Sequence, residues 1–357
     1  MAIMKIRGGD LDLVEYEFNS FSPGEDIRCI GLKKKYPLNI LYTPVKVRAP
    51  GRIHLTVLDM NRFAPDHPGG GGMGFAINIF CDVEVICTKA GIDIDYNRPA
   101  IIRHFISVFS ETVGYTGGFS VIARDHDHKH VGLGSTSCIL IALAKALNHA
   151  VGDPLSDDEL RKLVGHNYVE ETEDGKVAFG FETGVGPAAC MYGGMAIMGD
   201  MLTLIHHHSF GVGKQVYIVI PPSSISSAGE QEFDLLMNKA RTLDYRDREQ
   251  KAYCIMMDFI PALQTDDLVC MGDIMWEIEF RGSKRAEIEH HSFEIYHYMN
   301  HLRKAGLEFV GMSSVGPSIV IITEKPEPEV REVVTNIGLS IAITTSVNNI
   351  GMQMDSQ

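Results

Sequence analysis

A chain of 357 residues, 45% hydrophobic and 22% charged, has enough apolar material for two cores and is neither disordered nor fibrous. Its formal charge of -14 excludes a protein built to wrap nucleic acid, because that binding rests on Lys and Arg neutralising phosphates. No stretch approaches the roughly 20 apolar residues that span a bilayer, the N-terminus lacks a signal-peptide core, and the seven cysteines form no Cys-x-x-Cys pair. A cytoplasmic protein with reduced thiols, binding neither nucleic acid nor membrane, is expected.

Residues 1–44 have mixed polarity and no sustained period, and read as an extension packed on the main body. A β-rich stretch follows: Val45, Val47 and Ala49 alternate, Ile53 to Leu58 is apolar, and Ala76 to Thr88 and Ile92 to Tyr96 are rich in strand formers. Pro99 to Val113 has helical spacing through Ile101, Ile102, Phe105, Ile106, Val108 and Phe109, and Phe119 to Ala123 returns to strand. Ser135 to about Val151 predicts a buried helix, apolar on most faces. Ser156 with Glu159 has the form of a capping box and opens another. Strands are predicted at Gly194 to Met198 and Gln215 to Pro221, helices from Gln231 to Ala305, and strands again at Glu308 to Met312 and Ser318 to Thr323. The change of texture near residues 205–215 divides the chain into the extension (1–44), an N-terminal domain (45–210) and a C-terminal domain (211–357), a two-lobed α+β architecture.

The strongest local signal is His130-Val131-Gly132-Leu133-Gly134-Ser135-Thr136-Ser137 ahead of the apolar helix. Glycines let the backbone approach a ligand, and the first helical N–H groups are left unpaired. The helix dipole attracts anions, and the hydroxyls of Ser135, Thr136 and Ser137 can donate to phosphate or, at Ser135, hold a Mg²⁺ ion. Alone, such a turn is most often an N-cap. Three further turns strengthen the signal: Ala49-Pro50-Gly51-Arg52 puts a cation before a strand, Thr183-Gly184-Val185-Gly186 precedes small residues and Gly193-Gly194, and Gly311 to Ser318 follows a strand.

In that order, Pro50-Gly51-Arg52, Gly132-Leu133-Gly134-Ser135 and Gly311 to Ser318 resemble the three motifs of the GHMP superfamily, which holds galactokinase and the homoserine, mevalonate and phosphomevalonate kinases. Further residues resemble its β-ribofuranosylaminobenzene 5'-phosphate synthase branch. They are Arg52-Ile53-His54-Leu55 with Leu58-Asp59, the Gly69 to Gly74 segment, Thr183-Gly184-Val185-Gly186, Ile260-Pro261-Ala262-Leu263, and Ser313-Ser314 before Gly316-Pro317. The resemblance spans residues 45–325. It implies a GHMP-kinase-like fold with the Gly-rich phosphate loop in a β-rich N-terminal lobe, a ferredoxin-like C-terminal lobe, and an active site between them. It also implies condensation of 4-aminobenzoate, or a related aromatic acid, with phosphoribosyl pyrophosphate, releasing CO₂ and pyrophosphate, in archaeal-type tetrahydromethanopterin biosynthesis.

In family kinases such as mevalonate kinase, a Ser-Gly-Val-Asp stretch supplies the catalytic aspartate, whereas here Thr183-Gly184-Val185 is followed by Gly186. A phosphotransferase needs a carboxylate to orient or deprotonate its acceptor, so this difference favours chemistry in which the diphosphate departs and no γ-phosphoryl is passed on. That chemistry asks for Mg²⁺ and backbone donors on the diphosphate, a cation for a phosphate or carboxylate, and an acid or base near the anomeric carbon. The phosphate-binding candidates are Gly132, Leu133, Gly134, Ser135, Thr136 and Ser137, with Thr183, Gly184, Ser313 and Ser314. Arg52 is the candidate for an anionic group, and Asp59, His54 or His130 for proton handling. Glu182 departs from the synthase branch, where a basic residue is expected. The alternative is an ATP-dependent kinase of the same superfamily, needing Glu182 or Asp59 to face the γ-phosphate; a non-catalytic metabolite sensor is a third reading. A homodimer is expected.

Other conspicuous residues have plainer readings. Asp125 to His130 alternates charge and imidazole, but no further ligand completes a metal set, so it reads as a polar strand edge. His206-His207-His208 and His290-His291 read as surface or capping residues, and Asp244 to Glu249 as a solvated helix start. Met256, Met257, Met271 and Met275 read as core filling, and Trp276 as a buried structural indole.

Overall fold

The computed structural model describes residues 4–6, 14–16, 19–63, 67–126, 131–223 and 234–355. A short antiparallel pair, β1 (Met4–Ile6) and β2 (Val14–Tyr16), comes first. Ile27, Ile30, Leu32, Tyr36, Leu38 and Ile40 then lay the segment before the first long strand onto the core.

Two long antiparallel strands organise the N-terminal lobe, β3 (Val45–Val57) and β4 (Gly72–Thr88). Their register shifts at Pro50/Gly51, and an irregularity of this kind bends and twists a strand pair. The bend hands the apolar stripe from one core to another. Val45, Val47, Ala49, Val83 and Val85 serve the first core, while Ile53, Leu55, Met73, Phe75 and Ile77 serve a second, shared with the C-terminal lobe.

The chain then adds β5 (Ile92–Asp95), α1 (Pro99–Val113), β6 (Gly118–Arg124), α2 (Ser135–Ala150), α3 (Asp157–His166), the pair β7 (Val169–Glu171) and β8 (Val177–Phe179), α4 (Val185–Tyr192), β9 (Met195–Met198) and β10 (Leu204–His208). The sheet runs β10-β9-β4-β3, with β6 also on β4 and β5 parallel to β6. α1 starts on Pro99, whose missing N–H costs nothing at that position. α3 opens with the full Ser156–Glu159 capping box. α2, apolar on most faces, packs across β3 and β4 and is buried almost throughout.

β11 (Gln215–Val219) opens the second sheet. α5 (Arg241–Cys254) lies between π-helical turns at Leu236–Ala240 and Ile255–Phe259 and runs on into α6 (Ile260–Gln264). α7 (Leu268–Glu279), α8 (Gly282–His291) and α9 (Glu294–Lys304) follow, then β12 (Phe309–Met312), β13 (Ile319–Thr323), α10 (Glu327–Asn336) and β14 (Ile341–Ser346). This antiparallel sheet has the order β12-β13-β11-β14. β15 (Gln353–Met354) then leaves it and pairs with Val47 and Arg48 of β3.

Three expectations are corrected here. Asp244 is not on a solvated helix start; it lies within α5, fully buried against an equally buried Lys251. Lys251 Nζ donates to Val57 O at 2.8 Å, and the Asp244 carboxylate accepts from Met60 N at 2.9 Å and Ser283 N at 2.6 Å, tying α5 and α8 to the end of β3. Met271 and Met275 are core, but Met256 and Met257 are 61% and 57% exposed, because their turn faces inward through Ile255 and Phe259. Trp276 is part-buried, edge-on to Phe280.

Candidate active site

A cleft runs between β3, the start of α2, the segment from Tyr168 to Gly186 and the turn after β12. Gly132 and Gly134 hold φ of 89° and 71°, a region side chains disfavour. A Cβ on Gly132 would lie 2.4 Å from Ser313 O, and one on Gly134 2.8 Å from the Arg52 side chain. Among the described residues no side chain caps α2, so its first N–H groups and the positive end of its dipole are left for a ligand.

The late turn is stitched to this loop. Ser313 Oγ donates to Gly132 O at 2.7 Å and Ser318 Oγ to Val131 O at 2.5 Å, while Ser314 N donates to His54 O at 2.7 Å. Behind them Lys284, fully buried, donates to Met312 O at 3.2 Å and Ser314 O at 2.8 Å and pairs with Glu287 at 2.6 Å. Three turns far apart in sequence thus form one wall.

Arg52 lines the loop end of the cleft, and Arg98 stands behind its hydroxyls, paired with Asp125 at 3.5 Å and Glu170 at 3.7 Å. Arg52 Nη1 donates to Gly132 O at 2.9 Å, and its buried Nε has no hydrogen-bond partner among the described residues. Arg98, at the start of α1, donates from Nη1 to Thr136 Oγ1 at 2.7 Å and from Nη2 to Ser135 Oγ at 3.2 Å. Tyr96 OH accepts from Arg98 at 2.7 Å and donates to Asp125 at 3.0 Å, while Thr136 Oγ1 donates to Glu170 at 3.0 Å. No local pattern marks Arg98 in the sequence; only the fold brings it to α2.

Farther along, His54 Nε2 lies 3.2 Å from Thr183 Oγ1. Burial, helped by the charges of Arg52 and Lys284, pushes this imidazole well below its ordinary pKa, so it is neutral at pH 7. Glu182 is 4% exposed, and burial raises its carboxyl to about 7 despite the Gly184 N–H that donates to it at 2.7 Å and the charge of Arg52. A further face of the cleft is apolar: Val57, Met60, Phe181, Leu236 and Val315, with Phe63 against Phe181 at 4.2 Å between ring centres.

Of the residues singled out in the sequence, Arg52, His54, Gly132, Leu133, Gly134, Ser135, Thr136, Thr183 and Ser314 line the cleft. Ser313 braces the loop, Gly184 caps α4, and Ser137 is buried beside Gly186. Asp59 lines no part of it. Its Oδ1 accepts from Asn61 N at 3.0 Å, capping a 3₁₀ turn, and its Oδ2 pairs with Arg248 at 3.2 Å, which is a structural role. His130 lies outside the described residues. His206 and His208 stack on the edge strand β10, and His291 holds Val315 O at 2.7 Å. Among the described residues, no group of three or more His, Cys, Asp or Glu is arranged to hold a metal.

Residues 100–194 match the GHMP kinases N terminal domain, the stretch that carries α2 and its loop. The chain carries this GHMP-kinase N-terminal domain. It is 25% identical over 342 residues to the Beta-ribofuranosylphenol 5'-phosphate synthase of Methanothermobacter thermautotrophicus, an alignment covering 86% of the chain and 98% of the relative. The protein of the same name from Archaeoglobus fulgidus is 24% identical over 339 residues, covering 87% and 99%. The homoserine kinase of Blochmanniella pennsylvanica is 26% identical over 219 residues, covering 60% and 64%. Among solved structures, mevalonate diphosphate decarboxylase from Staphylococcus aureus superposes with a TM-score of 0.65 at 15% identity, covering 88% of the chain and 98% of its own. Homoserine kinase from Cytophaga hutchinsonii does so at 0.61 and 16%, covering 89% and 100%. These likenesses show the two-lobed α+β GHMP fold.

Proposed function

We propose that this enzyme transfers a phosphoribosyl group from phosphoribosyl pyrophosphate to an aromatic acid, 4-hydroxybenzoate or 4-aminobenzoate, releasing CO₂ and pyrophosphate, in tetrahydromethanopterin biosynthesis. The observation that carries this reading is the pairing, in one cleft, of a phosphate-ready loop with an apolar, phenylalanine-bearing wall. The loop amides, Arg52 and Arg98 suit a departing diphosphate, whose charge grows as its bond to the sugar breaks. Val57, Met60, Phe181, Leu236 and Val315 suit a flat ring. The phenol in the names of relatives aligned over nearly their whole length supports a hydroxybenzoate.

The donor set beside the loop fits Mg²⁺. The ion favours hard oxygens, usually one or two protein ligands completed by substrate phosphates and water, and the Ser135 hydroxyl and Glu170 carboxylate are such groups. When bound, the ion would offset charge on the diphosphate. Arg98 orients the Ser135 and Thr136 hydroxyls of the helix start, and the neutral His54 holds Thr183 on the opposite side. We take the enzyme to act in the cytoplasm as a homodimer, which light scattering tests.

Calorimetric titration with phosphoribosyl pyrophosphate and, separately, ATP, each with Mg²⁺, tests the reading. Tighter binding of phosphoribosyl pyrophosphate is expected; preference for ATP would replace it with the small-molecule kinase reading.

A further inference from the structure

Glu182 is buried without the company that normally makes burial tolerable. Among the described residues no cation lies within ion-pair distance of it, and its hydrogen bonds come from backbone amides of its own turn. The charged and titratable groups around it are committed elsewhere. Arg52 and His54 on β3 hold Gly132 O and Thr183; Arg161 on α3 holds Leu202 O and Asp158; Tyr168 donates to Glu170. Glu182 Oε2 lies 3.4 Å from where a Cβ on residue 186 would stand, and that Cβ would be 2.4 Å from Ser137 Oγ. A side chain at 186 would crowd this carboxylate, and glycine leaves it room. The preceding residue, Phe181, belongs to the apolar wall, and both line the cleft, so a ring seated on that wall shares the cleft with the carboxylate.

We propose that Glu182 is the catalytic base for the aromatic acceptor, taking the proton of a ring hydroxyl para to the carbon that attacks the sugar; this rests on the phosphoribosyl-transfer reading. Glu182 removes the hydroxyl proton of a 4-hydroxybenzoate, and the phenolate drives electron density to the ring carbon bearing the carboxylate. That carbon forms a bond to the anomeric carbon as the anomeric C–O bond to diphosphate breaks. The bond to the carboxylate then breaks, CO₂ leaves, its electron pair restores the aromatic ring, and Glu182 returns the proton to the phenolate oxygen. Protons balance over the cycle. A carboxyl near 7 is suited to both halves of that exchange at neutral pH. An amino group in the same position pushes with its lone pair and loses no proton, so an aminobenzoate depends on Glu182 far less.

The test is Glu182→Gln assayed with 4-hydroxybenzoate, 4-aminobenzoate and a ring-fluorinated 4-hydroxybenzoate whose hydroxyl is more acidic. Affinity for phosphoribosyl pyrophosphate, by calorimetry, should stay within about 3-fold, while turnover of 4-hydroxybenzoate falls by about 100-fold or more. The fluorinated acid should recover much of that loss, and the wild-type acid limb near pH 7 should vanish. Equal losses on acids of different acidity, or an acid limb that persists, would overturn the proposal, as would a wild type that binds phosphoribosyl pyrophosphate but turns over no hydroxybenzoate. Should Glu182→Gln fail to fold, Glu182→Asp with the same acid series decides, since a shortened base still answers to acceptor acidity. A wild type that does not bind phosphoribosyl pyrophosphate sinks the parent reading instead, a separate result.

Discussion

Asp244 and Glu182 are both carboxylates withdrawn from water, but their surroundings differ. Asp244 faces Lys251 and accepts from two backbone amides, all within packed helices and strand end. Glu182 has amides alone and borders the cleft. Taking a charge out of water costs several kcal/mol per ion. Burial raises both carboxyls, but Asp244 has Lys251 to offset the cost and becomes a strut, whereas Glu182, with no cation at ion-pair distance among the described residues, is pushed up to about 7. Glu279 shows that burial alone does not make a site. It is fully buried and pushed up to about 8, yet it accepts from Met312 N at 2.8 Å inside the C-terminal lobe and borders no part of the cleft. A raised carboxyl matters for chemistry only where a ligand can reach it.

Breaking the strut should have the largest effect. Lys251→Met leaves Asp244 charged or protonated without its cation and should cost about 3–5 kcal/mol in urea unfolding, with much of the loss recovered in Lys251→Met/Asp244→Leu; a single variant as stable as wild type would remove the distinction. Glu279 gives the next effect, visible as a pH dependence. Its folded pKa lies above the ordinary 4.5, so its contribution to stability is fully present below about 4.5 and is lost as pH rises through about 8. Wild type should therefore lose on the order of a few kcal/mol more than Glu279→Gln between pH 5 and 8.5, by thermal or urea melts at each pH. At the loop, Gly134→Ala forces a side chain into positive φ against Arg52; about 1–2 kcal/mol of stability and roughly tenfold in pyrophosphate affinity should go, and calorimetry reads the second directly. Asp59→Ala should do least, costing about 1 kcal/mol through the lost cap and ion pair and leaving turnover within about twofold. A large loss of turnover would return Asp59 to the chemistry.

Much of the fold is legible in the amino-acid order itself. Strand alternation from Val45, the helical spacing of Pro99 to Val113, the capping box at Ser156 and the buried helix after the Gly-rich loop are local patterns, and local patterns are what periodicity reads. Short elements such as β7, β8 and β15 carry too few residues to show a period, and α10 and β14 lie past the last predicted strand. The cleft is half legible. Its loop is a contiguous motif, but the apolar wall draws Val57, Met60, Phe181, Leu236 and Val315 from four distant places, and Arg98 reaches Thr136 only because α1 and α2 are neighbours. Periodicity also names a face without saying which way it looks, as exposed Met256 and Met257 illustrate. Asp59 is not legible locally because Leu58-Asp59 after a strand reads equally well as a base or a cap; its contacts with Asn61 and Arg248 come only with the fold.

The pairing of β15 with β3 bears on how the chain is made. Arg48 and Val47 emerge from a ribosome about 300 residues before Gln353 and Met354, which pair with them. Through most of synthesis this stretch of β3 stays without its neighbour, an open strand edge of the sort that invites pairing with other chains. A ribosome-bound chain stalled before Gln353 should thus engage holding chaperones more strongly than one that has passed it.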